Sequence, residues 1–379
     1  MCVPERRLEG PRAGFQLLCL AVSVAELLFA CNSLELSGDV DDLERDASEQ
    51  ASEEIEVVVD IYDPDLVPDE PVEESSSEDL SDTSDDGEAD EECIPSCDGR
   101  ECGNDGCGGS CGTCPERSGC DIWGQCHACG EMVLVPAGDF IMGIEYADNH
   151  HSPEHIVTVS AFYIDVCEVT NRQWKECVDA GSCTAPTRPS SNLRPDYYTN
   201  IEYDEYPVIN VDWYQASAYC TWMEKRLPTE AEWEKAARGG CELFGSPGIC
   251  DDPEDERTYP WGEEAPDCTL ANFLSSSSGW CVEDTDIAGS LSPSASPYGI
   301  LNMADNIREM VSDWDGGDEY FSTGGPPWID PQGPADGIQK VIKGGCWNSV
   351  NIELEISFRG AAPPSYESIY WGVRCVHDD

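Results

Sequence analysis

The stretch Lys340–Ala362, KVIKGGCWNSVNIELEISFRGAA, is laid out like a reactive segment, with a Gly-Gly turn, Cys346, Ser349 and an apolar strand to follow. A thiolate is both a nucleophile and a soft metal ligand, and two thiolates a few residues apart would select Cu(I). Only one stands here. After Cys281 the chain holds Cys346 and Cys375 alone, far apart in sequence, so no close pair can follow the turn. Other chemistries are thinly represented. The five histidines are His127, His150, His151, His155 and His377, and only His150, His151 and His155 lie near one another. No Gly-rich phosphate loop and no Ser–His–Asp arrangement occurs. Two C-x-x-C pairs, Cys111/Cys114 and Cys126/Cys129, would suggest zinc in a reducing compartment.

The compartment is an oxidising one, because 22 cysteines in 379 residues suit disulfides and not a reduced cytosol. The N-terminus supplies the route. Arg6, Arg7 and Arg12 precede an apolar run, Phe15–Ala30, that is short for a membrane span. It ends in LFAC, which resembles a bacterial lipobox. Residues 1–30 are therefore expected to be a signal peptide, with Cys31 lipidated as a membrane anchor; the alternative is a plain signal peptide and an ordinary thiol. Residues 31–92 are dominated by Asp and Glu, with Arg45 the one opposing charge, and are expected to be a disordered tether. A formal net charge of −57 argues against a nucleic-acid partner, which demands a positive footprint. Residues 93–129 are dense in cysteine and glycine and poor in large apolar residues, so bridges must hold them.

Residues 130–379 form the main domain. EMVLVPAGDFIMG and HIVTVSAFYIDVCEVT alternate as strands do. Three helices have capping boxes: Thr170 with Gln173, Asp212 with Gln215, and Thr229 with Glu232, the last ending at Gly239. Between Gly239 and Lys340 the chain is rich in Gly, Pro, Ser and Asp, which implies long loops that need pins. Cys177/Cys183, Cys241/Cys250 and Cys268/Cys281 are close in sequence and are expected to close short loops.

The ordered motifs MVLVPAGDFIMG, FYIDVCEVTNRQW, YPVINVDWYQASAYCTWMEKRLPTEAEWEKAARGG, YPWG, ANF, SPYGILNMADNIREM, KGGCW and GVRCV resemble the formylglycine-generating enzyme (sulfatase-modifying factor) family over residues 130–379. The resemblance implies an α+β fold related to C-type lectins, with little regular structure and bound calcium. It also implies an enzyme that oxidises a sulfatase cysteine to formylglycine with copper and oxygen, although many relatives keep the fold without that activity. By position, Ser349 and Leu354 stand where the family's two thiols belong, and Cys346 stands at its active-site serine. Copper is therefore not expected, and Cys346 and Ser349 are weak catalytic candidates.

The same resemblance pairs Cys220 with Cys375 and leaves Ala237 and Gly360 where a second family bridge would be. A lone exported cysteine is usually bridged, and Cys167 is the candidate partner of Cys346; an odd number of cysteines after residue 92 nevertheless leaves one over. Calcium is expected on Asn306 and Glu309 of DNIREM, and on Asn272 with the Phe273 carbonyl and Asp284 or Asp286, since hard oxygens on a tight loop suit it. The resulting expectation is an envelope lipoprotein, facing the periplasm or the cell surface, whose domain binds a protein, peptide or glycan. The alternatives are a copper- or thiol-dependent oxidase and a structural envelope part.

Overall fold

The computed structural model describes residues 96–104, 107, 109–144, 153–246, 249–317 and 328–379, all within the compact unit Gly87–Asp379. The signal, Cys31 and the acidic tether lie outside the described residues, as do His150 and His151. Among the described residues no helix is long and apolar enough to cross a membrane.

Local sequence explains where the elements start. Helices α1 (Asn171–Asp179), α2 (Trp213–Trp222) and α3 (Glu230–Arg238) each begin at a reciprocal capping box, on Thr170/Gln173, Asp212/Gln215 and Thr229/Glu232. Each cap satisfies backbone N–H groups that the helix itself cannot, a contribution of about 1 kcal/mol. Gly239, at φ +99°, ends α3 in a conformation that favours glycine.

The strands form small sheets. A hairpin of β1 (Ser118–Cys120) and β2 (Cys126–Ala128) closes the cysteine-rich module. In the domain, β3 (Met132–Val135) pairs with β6 (Phe162–Asp165), and β4 (Gly138–Met142) pairs with β5 (His155–Val159), all antiparallel. A short hairpin follows, β7 (Leu274–Ser275) with β8 (Gly279–Trp280). The longest strand, β9 (Arg308–Trp314), lies between β10 (Lys340–Lys343) and β12 (Trp371–Gly372), with β11 (Arg359–Ala362) outside β10. Last, β13 (Val376–Asp378) pairs with β6 and so returns the C-terminus to the first sheet. The segment after the Gly-Gly turn is not the strand expected from its apolar run. Asn351–Leu354 is a 3-10 turn, and the chain becomes extended only at β11.

Phe140, Val157, Ile164, Trp233, Tyr298, Ile300 and Val341 pack in the main core. A second cluster, with Trp174 stacked on Tyr219, sits between α1 and α2 around the Cys220–Cys375 bridge. That bridge spans 155 residues, so cutting it frees the unfolded chain more than cutting any short-loop bridge does. We expect the Cys220→Ala/Cys375→Ala protein to lose about 3–5 kcal/mol in denaturant unfolding. A loss under about 1 kcal/mol would mean that packing alone fixes the C-terminus.

The cysteine-rich module is stapled by Cys97–Cys111, Cys102–Cys120 and Cys114–Cys126 and joined to the domain by Cys129–Cys167. Both C-x-x-C pairs are thus divided among different bridges, and none of their sulfurs is a thiolate for zinc. The short loops close through Cys177–Cys183, Cys241–Cys250 and Cys268–Cys281.

Candidate functional site

Strand β10 delivers the Gly-Gly turn against the 303–304 backbone. A Cβ on Gly344 would lie 2.8 Å from the Met303 carbonyl oxygen, and one on Gly345 only 2.4 Å from that of Ala304. Gly345 N–H donates to Ala304 O, and Trp347 N–H donates to Asn306 O. The glycines therefore exist to let two backbones touch, which fixes where Cys346 emerges.

Cys346 is a free thiol and is 4% exposed. This corrects the expectation that it is bridged: its candidate partner, Cys167, is taken by Cys129, the last cysteine of the module. The Cys346 sulfur lies 3.4 Å from Ser349 Oγ, which also accepts the Cys346 N–H at 3.0 Å. Arg308 Nη2 donates to that same oxygen at 3.3 Å and to Glu353 at 2.5 Å, and its guanidinium lies 5.0 Å from the Phe358 ring centre. Leu354 is fully buried beside Ala271, Phe273 and Ala304. Trp347 packs at a tilt on Tyr370, and Trp280 donates to Asn348 Oδ1.

This arrangement does not fit copper. A linear Cu(I) site requires two soft sulfurs, and the two positions hold a hydroxyl and a core methyl cluster. Arg308, a permanent cation, is bonded to that hydroxyl, where a metal ion would meet repulsion. Nor does any of the described histidines serve the thiol as a base. His127 is bonded to Asp121 in the module, His155 to the Pro153 carbonyl on β5, and His377 lies on β13. The described geometry holds a buried thiol in a tight turn against Ser349. In the native protein we expect Cys346 to be the single slow-reacting thiol among residues 96–379. Cys346→Ser should change stability by less than about 1 kcal/mol in urea unfolding, because Ser349 can bond a hydroxyl as well.

The calcium candidates divide. Glu309 turns both oxygens to Arg374, at 2.7–2.9 Å, and takes Trp233 Nε1 at 2.7 Å. Asn306, at φ +66°, accepts from Asp286 N and Asn272 Nδ2 and donates to Glu168. These two side chains serve different partners, and Arg374 already supplies the positive charge Glu309 needs. Asp284 is likewise occupied, by Ser191, Leu193, Thr285 and Arg194. Asn272 differs: its Oδ1 is buried without a hydrogen-bond partner. The Phe273 carbonyl accepts from Cys281 N. Nearby burial pushes Glu168 up to about 8 and Asp305 up to about 7, Arg374 opposing the first and the Asn272 N–H the second. The 184–198 loop does not offer its tyrosines for recognition: Tyr197 and Tyr198 are buried, and Tyr197 donates to the Pro207 carbonyl.

The signal that sequence reasoning missed is Arg308 with Glu353. An arginine beside DNI and a glutamate two turns past KGGCW carry no local pattern, and only the β9–β10 pairing brings them together.

Residues 121–379 match the model described as the sulfatase-modifying factor enzyme 1-like domain. The chain belongs to this family. As a sulfatase-modifying-factor protein it is 29% identical over 306 residues to the formylglycine-generating enzyme of Thermomonospora curvata, covering 65% of this chain and 93% of that one. It is 31% identical over 290 residues to hercynine oxygenase of Mycolicibacterium smegmatis, covering 67% and 63%. It is 36% identical over 256 residues to the serine/threonine-protein kinase pkn1 of Chlamydia pneumoniae, covering 65% of this chain. The match spans only 38% of that relative's length. Among solved structures, PvdO from Pseudomonas aeruginosa superposes with a TM-score of 0.50 at 25% identity, over 65% of this chain and 94% of PvdO. The fold is thus the α+β, formylglycine-generating-enzyme-like fold with its lectin-like architecture. The family match begins at Asp121, inside the β1–β2 hairpin, so the end of the cysteine-rich module is part of the matched region.

Proposed function

We propose that this protein is an exported, lipid-anchored envelope protein whose sulfatase-modifying-factor domain binds a protein, peptide or glycan and does not run the copper oxidase reaction. The observation that carries this is Arg308 hydrogen-bonded to Ser349, with Leu354 sealed in the core, at the two positions where the family enzyme needs thiols. Arg308, Ser349 and Glu353 make a connected polar set in the place of a thiol site. The test is a Cu(I) titration with oxygen uptake on a cysteine-containing peptide, run beside an active family enzyme. No uptake, and Cu(I) binding no tighter than in Cys346→Ser, is the expected result. Turnover that vanishes in Cys346→Ser would replace this reading with the second one, a thiol-dependent enzyme. That reading is favoured by one fact, the unbridged Cys346.

Calcium is proposed at Asn272, which has the unfilled Oδ1, with Asp286 nearby on the same amide network. Asp284 and Glu309 are not proposed as ligands. Addition of calcium should raise the melting temperature of the native protein by about 2–5 °C and that of Asn272→Ala by none. An equal rise in both would place any calcium elsewhere.

A further inference from the structure

A cleft of about 440 Å³ opens between the cysteine-rich module and the domain, away from Cys346. Its module side carries Arg100 and Ile122, and its domain side Trp261, Pro260, Ser296 and Pro297. We infer that this cleft binds a carboxylate carried on a ring, as in a uronate sugar.

The walls are held rigidly. Ile122 N–H donates to the Pro297 carbonyl at 2.9 Å, so the two sides are hydrogen-bonded together. Gly119 and Gly299 touch so closely that a Cβ on Gly119 would lie 1.9 Å from the Gly299 oxygen. The Cys102–Cys120 bridge and the Cys129–Cys167 bridge hold the module in place on either side of this contact. A cleft that does not need to be ordered on binding loses less entropy when it is filled.

Arg100 and Ser296 are the polar side chains of interest along it. Arg100 gives one bond to the Asn104 carbonyl and has no carboxylate partner among the described residues, although the chain carries a net charge of −57. Its stem lies over Gly124, where a Cβ would meet Arg100 Cγ at 2.6 Å, so the glycine lets the side chain lie flat along the rim. Ser296 is 1% exposed, and its Oγ accepts from Tyr298 N and Ile300 N. Its hydroxyl proton finds no acceptor among the described residues. The exposed Arg100 guanidinium, with no carboxylate partner among the described residues, can hold a ligand carboxylate in two parallel bonds. The buried Arg257 adds positive charge, part of it already balanced by Glu254. Trp261, stacked on Tyr259, and the proline edges give a ring an apolar bed. The volume lies within the range of small-ligand sites.

Ring-borne carboxylates come as uronate sugars or as aromatic acids, and two probes separate them. The full-length protein is titrated by calorimetry with trigalacturonate, with benzoate, and with the neutral galactose trisaccharide. Trigalacturonate should bind with a Kd below about 1 mM. The neutral trisaccharide should not bind at all. Arg100→Gln keeps the exposed stem but loses the charge, and should weaken binding about ten- to a hundredfold, in step with a charge-assisted hydrogen bond. Binding of benzoate alone, lost in the same variant, would keep the site and assign it to aromatic acids. No binding of any probe at about 10 mM, or equal binding by Arg100→Gln, overturns the inference. This outcome is separate from the copper test, because the cleft does not include Cys346.

Discussion

Replacing Lys343 with methionine is expected to remove about 3–5 kcal/mol of folding stability. Lys343 has no exposed surface, and its Nζ lies 2.8 Å from Glu234, 3.9 Å from Glu230 and 3.3 Å from the Ser357 carbonyl. The charges continue in both directions: Arg238 meets Glu234 at 3.1 Å, Arg359 forks onto Glu230, and Asp315 holds the far side of Arg359. This is an alternating row of cations and anions, buried at its centre and partly exposed at Arg359 and Asp315. Burial alone would raise the Glu234 carboxyl, but Lys343 and Arg238 outweigh it and hold the group down at about 2. Removing Lys343 leaves Glu234 charged, buried and short of one partner, which is the costly case. Urea unfolding of Lys343→Met, Glu234→Met and the double variant checks this. The double variant should recover only part of the loss, because the buried Arg238 then loses its carboxylate partner. A single variant within about 1 kcal/mol of the native protein would show that water reaches the row.

Stability should also fall as pH rises from about 5 to 8, by on the order of a few kcal/mol. Five carboxyls have folded values above their ordinary ones: Glu168 at about 8, Asp305 and Asp313 at about 7, with Asp165 and Asp255 raised in the same direction. Burial is the main cause in each, and at Asp313 the Glu230 carboxylate adds to it. A raised folded value means the native state holds its proton after the unfolded chain has released it. The stabilising contribution is therefore complete below about 4 and is lost as pH passes through 7 to 8. Glu234 works in the opposite sense, since its contribution is lost only as pH falls toward 2, outside this window. Asp313→Asn should flatten the profile, because an amide cannot ionise. It still accepts the Glu230 N–H that Asp313 Oδ2 takes at 2.9 Å, so helix α3 keeps its start. A profile of Asp313→Asn as steep as the native one would assign the pH dependence to other groups.

Several features could be read along the chain because their causes are local. The three capping boxes need only a cap and a residue three places on, and all three helices start there. Cys177–Cys183, Cys241–Cys250 and Cys268–Cys281 close loops of 6, 9 and 13 residues in separation, whose ends meet at a small cost in chain entropy. The family was legible because many motifs agree in order, and the missing thiol pair was legible because no cysteine lies between 346 and 375.

Tertiary structure alone decided the rest. Cys129–Cys167 joins a module to a domain, and nothing in its spacing distinguishes it from Cys167–Cys346 until the backbone places both ends. Asn306 and Glu309 look like a ligand pair in DNIREM, yet the side chains serve different partners, because Arg374 arrives from the link between β12 and β13, far away in sequence. The same holds for the buried row of charges and for the cleft at Arg100, which exist only where β10, β11 and the module hairpin are folded against α3 and the 293–300 turn. Sequence shows a residue's own chemistry and its nearest neighbours. Which charge compensates it, and how much water reaches it, are set by chain segments brought together through packing.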